Sequence, residues 1–158
     1  INRPFRSLES KYQKDEVYRI SGLRTTGAPT VNTFSHGVAA SATYVAIPHP
    51  VRGTILAVPA DYSKYTRSDN PNLIHAHGGS DIADLAFCPY ADNVIASVGR
   101  DDALHVFQLP EDGVISGNMT TPAVSIRELS TPSSVAWHPS ARGVIAIGCK
   151  DSIIIANV

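Results

Sequence analysis

The chain has 158 residues, of which 43% are apolar and 17% charged, and its formal net charge is −1. This composition is typical of one globular domain rather than a disordered segment, and the small net charge argues against a general attraction to nucleic acid or acidic lipid. No apolar run approaches the ~20 residues of a membrane span, and two cysteines make no disulfide framework, so we expect a cytoplasmic protein without membrane insertion.

Residues 1–30 form a polar, basic N-terminal segment that ends in a Gly/Pro/Thr-rich stretch. Its first 24 residues carry six basic side chains against three acidic ones. The chain begins with Ile1 and shows no signal-type apolar run. We therefore expect a piece of a longer protein, with oligomerisation, if any, through parts outside this chain.

Strand-like segments follow in three sets over residues 31–158, and no segment shows a helical period of 3.6. A polar loop, 61–72, separates the first set from the second. Proline and glycine residues punctuate the turns between segments. The predicted strands are 43–47 and 54–58, then 81–87, 94–98, 104–109 and 123–129, and finally 134–137, 144–148 and 152–158.

The second and third sets repeat one another at a spacing of fifty residues. The sequence DLAFCP at 84–89 returns as SVAWHP at 134–139, and NVIA at 93–96 returns as GVIA at 143–146. A repeat of this length with strand-like patterning indicates a β-propeller of WD repeats, in which each blade buries its faces against its neighbours. The sequence thus predicts an all-β fold with about three blades of a probable seven, the first much degraded.

Several strings resemble one WD-repeat family, the coronins. They are DNVIAS at 92–97, VFQLPEDG at 106–113, VAWHPSAR at 135–142 and GCKD at 148–151, with SKY at 10–12 and RIS at 19–21 near the start. The resemblance implies a seven-bladed propeller that binds actin filaments. It is close over 75–158 and loose over 1–60.

The resemblance also implies a role for one arginine. Coronins carry an Arg followed by an aliphatic residue and Ser, implicated in filament contact, and Arg19 occupies that place here. The segment before it is shorter than in coronins, and Gln13 stands where a basic residue is expected. With Arg24, and with Lys64 and Arg67 from the polar loop, Arg19 makes a candidate basic patch for acidic actin filaments.

A second group of residues is interpreted as structural. WD repeats are often braced by a hydrogen-bonded His, Ser/Thr, Asp and Trp, and the second repeat offers His77, Ser97 and Asp101, with Phe107 at the Trp place. Phe107 has no indole N–H, so the last link of that chain is missing. Of the four residue types in this chain of hydrogen bonds, the third repeat keeps only the Asp, at Asp151. The structural signature is completed by Asp84, Trp137 and Asp151.

The sequence predicts neither a catalytic site nor a metal site. His75 and His77 lie at a spacing that allows a metal pair, with Asp81 or Asp84 as a third ligand, but a structural role for His77 is favoured. His-Gly-Gly at 77–79 faintly resembles an esterase oxyanion loop, yet no G-x-S-x-G nucleophile string exists. We predict no enzyme, no cofactor and no metal.

Two functions remain open. The first is a coronin-type, non-catalytic regulator of the cytoskeleton that binds filamentous actin and other cytoskeletal proteins. The alternative is a WD-repeat scaffold in a larger cytoskeletal or trafficking assembly, without direct actin binding.

Overall fold

A computed structural model describes residues 37–64 and 71–158. These residues form three antiparallel sheets, and within each sheet the strands that are consecutive in sequence are also neighbours in space. The all-β, repeated architecture that the sequence predicts is confirmed. The basic segment 1–30, including Arg19 and Arg24, lies outside the described residues, as does Arg67.

The sheets follow the repeats. The first contains β1 (Ala39–Ala40), β2 (Tyr44–Pro48), β3 (Thr54–Pro59) and β4 (Ile74–His75). The second contains β5 (Ile82–Cys88), β6 (Ala91–Gly99), β7 (Ala103–Gln108) and β8 (Val124–Ile126). The third contains β9 (Ser134–Trp137), β10 (Val144–Gly148) and β11 (Ile153–Asn157).

The first sheet is more complete than its sequence indicates. The sequence predicts two strands there, and the structure adds β1 and β4, which are two residues long each. Such short segments carry no alternation of apolar and polar residues that a pattern could detect. The strand β4 is supported from outside its own repeat, because His75 donates its backbone N–H to the carbonyl of Met119 at 2.7 Å.

Two apolar cores lie between successive sheets. The first joins the first and second sheets, with Tyr44, Ile55 and Ile95 fully buried within it. The second joins the second and third sheets around Leu104 and Ile145. Each sheet thus buries a face against the next, as stacked blades do.

The third sheet leaves one face uncovered in the described part of the chain. Ile153 and Ile155 of β11 are 75% and 74% exposed, whereas Ile154 between them packs into the second core. By the strand pairings, Ile153 and Ile155 correspond to Leu104 and Val106 in the second sheet, which the third sheet covers.

The connections gather at two ends of the stacked sheets. One end, here called the His77 end, holds the turns 49–53, 76–81, 100–102, 127–133 and 149–152. The opposite end, here called the Lys64 end, holds the loop residues 41–43, 60–64, 71–73, 89–90, 109–123 and 138–143. Within the described residues, one 3₁₀ turn, Tyr62–Lys64, follows β3 at the Lys64 end. Among the described residues, no helix is long and apolar enough to cross a membrane.

Candidate functional site

A polar network lies at the His77 end of the second sheet, with buried histidines and an Asp101 that reaches the surface. His77 is fully buried, and its Nδ1 lies 2.7 Å from an Asp101 carboxylate oxygen while its Nε2 lies 2.9 Å from Ser97 Oγ. The backbone explains how a loop residue reaches this position. Gly53 accepts hydrogen bonds from the N–H groups of Ala76 and His77, which fixes the loop against the turn of the first sheet.

A second histidine completes the network. Ser97 and His105 are directly paired across β6 and β7, so both side chains lie on the same face. His105 Nδ1 is 2.8 Å from Ser125 Oγ, and its Nε2 is 3.4 Å from the other Asp101 oxygen. The two imidazole rings lie with centroids 4.9 Å apart. Sequence reasoning missed His105 and Ser125, although the position of His105 opposite Ser97 was available from strand alignment.

The surroundings of His77 favour an uncharged imidazole ring. Burial lowers the pKa of His77, and the neighbouring Asp101 charge and hydrogen bond oppose that effect only in part. A lowered pKa favours the neutral ring. A neutral imidazole has one donor and one acceptor nitrogen, which suits a carboxylate on one side and a hydroxyl on the other.

Gly99 makes room for the contact between His77 and Asp101. A Cβ at this position would lie 2.5 Å from His77 Nδ1 and 2.9 Å from the Asp101 carboxylate. Both distances are shorter than van der Waals contact, and the His77 ring is enclosed. The glycine is therefore required by the close approach of the network.

Phe107 occupies the place where many WD repeats carry Trp. It is fully buried in the first core, paired with Ile95 across the strands. Its ring contributes packing to the core, whereas the polar contacts of the network are made by His105 on the same face.

Asp84 and Trp137 join the second sheet to the third. The buried carboxylate of Asp84 accepts hydrogen bonds from the backbone N–H of Leu85 at 2.9 Å and of Val135 at 3.0 Å. The indole Nε1 of Trp137 donates to the carbonyl of Ala86 at 3.1 Å. Asp151, the third repeat's counterpart of Asp101, is exposed.

The third sheet lacks the rest of the network. Strand pairing places Ile147 where the second sheet has Ser97, and Ile154 where it has His105. Both isoleucines pack into the second core. The third sheet therefore folds around apolar contacts in the place of the polar cluster.

The alternative metal pair of the sequence does not assemble. His75 is exposed, and Asp81 instead forms a two-pronged ion pair with Arg52, with both N···O distances 2.8 Å. Asp84 lies in the interface to the third sheet. The neighbours of His77 are therefore Asp101 and His105. They are not His75 with Asp81 or Asp84, as the metal-pair alternative required.

Lys64 is the one candidate actin contact among the described residues. It is exposed at the end opposite His77, and its ammonium group donates to the carbonyl of Asp112 at 3.1 Å. Asp61 is close enough for the Lys64 charge to help lower the Asp61 pKa, after the larger effect of hydrogen bonds from Ser63. The described surface around Lys64 is therefore mixed in charge.

Solved structures share this architecture. The WD40 domain of Toxoplasma gondii coronin superposes with a TM-score of 0.69 and 26% identity, covering 80% of this chain and 33% of that one. The chain carries a WD40 β-propeller fold. The β-propeller domain of Cps50 (Swd1) from Myceliophteria thermophila gives a TM-score of 0.57 at 14% identity, covering 78% of this chain and 36% of the other.

Two further similarities were found, one in fold and one in sequence. A chain of the Mitotic Checkpoint Complex structure matches at a TM-score of 0.52 and 14% identity over 71% of this chain and 31% of its own. Villidin of Dictyostelium discoideum is 32% identical over 73 residues, which is 46% of this chain and 4% of villidin. No protein-family model matches the chain. The chain spans a small part of villidin and about a third of the coronin chain, and its propeller neighbours support a protein-interaction module.

Proposed function

We propose that this chain is part of a coronin-type interaction module that binds filamentous actin and performs no catalysis. The similarity to a coronin WD40 domain at 26% identity, over 80% of the chain, carries the proposal. The coronin-like strings of the second and third repeats support it. A cytoskeletal location in the cytoplasm follows from the same proposal.

The proposed contact is the basic patch of Arg19, Arg24, Lys64 and Arg67. Lys64 is exposed and lies at the end of the sheets opposite His77. Because Asp61 and Asp112 lie close to Lys64, a net positive surface there has to draw on the arginines. Attraction of such a patch to acidic filaments raises the association rate and weakens with salt.

Co-sedimentation with actin filaments tests the proposal. The protein is pelleted with filaments at low and moderate salt, and the bound fraction is compared between the native chain and R19D. We expect pelleting that decreases as salt increases, and at least a tenfold weaker affinity for R19D if Arg19 is a desolvated contact.

Charge-matched variants locate the surface. K64E changes the Lys64 end, whereas R127E changes an exposed arginine at the His77 end by the same charge. We expect K64E to weaken pelleting and R127E to leave it unchanged. Equal loss for both would indicate a non-specific charge effect, and no pelleting by the native protein at either salt would favour the WD-repeat scaffold instead.

A further inference from the structure

The histidines of the polar network divide their ring nitrogens between two kinds of partner. His77 Nδ1 and His105 Nε2 both face the carboxylate of Asp101. The outer nitrogens, His77 Nε2 and His105 Nδ1, face the hydroxyls of Ser97 and Ser125. A metal-binding histidine has this division, since one nitrogen binds the ion and the other donates to an oxygen that orients the ring.

The facing atoms lie close together. One ligand atom from each of His77, Asp101 and His105 lies within 4.8 Å of the others, and this is the one such group of three among the described residues. Ligands of a tetrahedral zinc ion at bond lengths of about 2.0 Å are separated by roughly 3.3 Å. His77 Nδ1 lies 2.7 Å from one Asp101 oxygen and His105 Nε2 lies 3.4 Å from the other. A shared ion therefore requires the carboxylate to move outward and to turn one oxygen towards the space between the two rings.

We propose that His77 Nδ1, His105 Nε2 and a carboxylate oxygen of Asp101 form a binding site for a divalent transition-metal ion of the zinc class. Two imidazoles and one carboxylate suit zinc, and three protein ligands leave a fourth position for water. The Asp101 side chain is 25% exposed, which gives the ion and that water a route from solvent.

Metal binding requires no new partner for either ring. In the tautomer that suits the metal-free network, the inner nitrogen of a ring donates to Asp101 and its outer nitrogen accepts from a serine hydroxyl. When the ion binds, the inner nitrogen becomes the ligand and the outer nitrogen donates to the serine hydroxyl, which serves equally as acceptor.

The third sheet indicates that a blade of this protein can fold without the polar cluster. It has Ile147 and Ile154 in place of Ser97 and His105, and it forms the same strands around apolar packing. A blade of this protein therefore folds with isoleucine at the His105 place, which also identifies a suitable replacement for a test.

The experiment titrates the purified chain, freed of metal with a chelator, with Zn²⁺ by calorimetry and with Co²⁺ by visible absorption. We expect one Zn²⁺ per chain, Co²⁺ absorption bands of tetrahedral type, and a thermal midpoint raised by Zn²⁺. H105I and D101N should each weaken binding at least about 100-fold, while S125A should weaken it about 10- to 100-fold through its effect on His105.

His75→Ala is the matched control, because His75 is exposed and lies two residues from His77. It should bind Zn²⁺ as the native chain does. Circular dichroism and fluorescence of the single tryptophan check that each variant is folded, and D101N keeps the hydrogen-bonding shape of the network if H105I does not fold. No stoichiometric Zn²⁺ binding by the native chain, or binding unchanged in folded D101N, would overturn the proposal.

Discussion

The carboxylate of Asp84 accepts a hydrogen bond from the backbone N–H of Val135 at 3.0 Å, across the boundary between two sheets. Its other oxygen accepts from Leu85, the residue that occupies the same place in the second repeat as Val135 does in the third. One buried side chain therefore satisfies equivalent backbone groups of two successive repeats, fifty positions apart.

This relationship predicts the effect of D84N. An amide keeps one acceptor and turns an NH₂ group toward a backbone N–H, so one buried donor loses its partner. The free energy of unfolding should fall by about 1–3 kcal/mol. Urea denaturation measures it, with D151N as the control at an exposed aspartate of the third repeat. Equal stability of D84N and D151N would show that the bond to Val135 contributes nothing measurable.

Trp137 provides a second probe of the same boundary. W137F keeps an aromatic ring in the second core but removes the indole donor to Ala86. We expect a loss of about 1 kcal/mol in unfolding free energy, as for a typical buried hydrogen bond. Thermal denaturation followed by circular dichroism measures the change. A W137F variant as stable as the native chain would contradict a contribution from the indole hydrogen bond.

Tyr44 predicts a response to alkaline pH. The ring is fully buried and its hydroxyl donates to the carbonyl of Pro110 at 2.7 Å. Burial, with a smaller effect of the Asp112 charge, raises the pKa of Tyr44 from 10.0 to about 12. The unfolded chain therefore loses the proton at lower pH than the folded chain, so stability is fully present below pH 10 and falls as the pH rises from 10 towards 12.

The Y44F variant separates the two roles of this tyrosine. At neutral pH it should be less stable by about 1 kcal/mol, because the Pro110 carbonyl loses its donor. Between pH 10 and 12 its stability should fall less steeply than that of the native chain. Parallel slopes for the two proteins would show that another group causes the alkaline loss.

Gly99 predicts a local steric effect. In G99A the new methyl group meets the His77 ring, which is enclosed and has no free direction in which to move. We expect a destabilisation of about 1–3 kcal/mol, the range for overpacking in a filled interior. Urea denaturation gives the stability, and the histidine ring signals in NMR report the displacement of His77. Unchanged His77 signals in G99A would contradict the steric argument.

Arg52 and Asp81 predict a change in a single titration. Hydrogen bonds from Arg52 are the largest cause of the lowered pKa of Asp81. In R52M the pKa of Asp81 should rise towards its ordinary value, while the nearby Arg100 charge keeps a smaller lowering effect. NMR titration of the carboxyl carbon measures this. An R100M control should change the same pKa less.

The sequence was most informative where repeats could be compared. The strands Ser134–Trp137 and Val144–Gly148 were predicted with the bounds that the structure gives them. In both, the strand-like residue pattern and the fifty-residue repeat indicate the same bounds. The short strands β1 and β4 could not be found, since two residues are too few to show a pattern. β4 depends in addition on partners distant in sequence, in β3 and at Met119.

The polar network could likewise be predicted only in part from the sequence. His77, Ser97 and Asp101 could be named from the repeat pattern, and the structure places both Ser97 and Asp101 within hydrogen-bond distance of His77. His105 and Ser125 carry no motif of their own, and their involvement depends on the register between β6, β7 and β8. Arg19, Arg24 and Arg67 lie outside the described residues, so their place in a basic patch stays a prediction.

Met119 has a consequence for how the sheets come apart. Its carbonyl accepts the N–H of His75, and its own N–H donates to the carbonyl of Leu73, so a loop of the second sheet adds backbone hydrogen bonds to the edge of the first. The first two sheets should therefore open as one cooperative unit in native-state hydrogen exchange, with the amides of His75 and Met119 exchanging together.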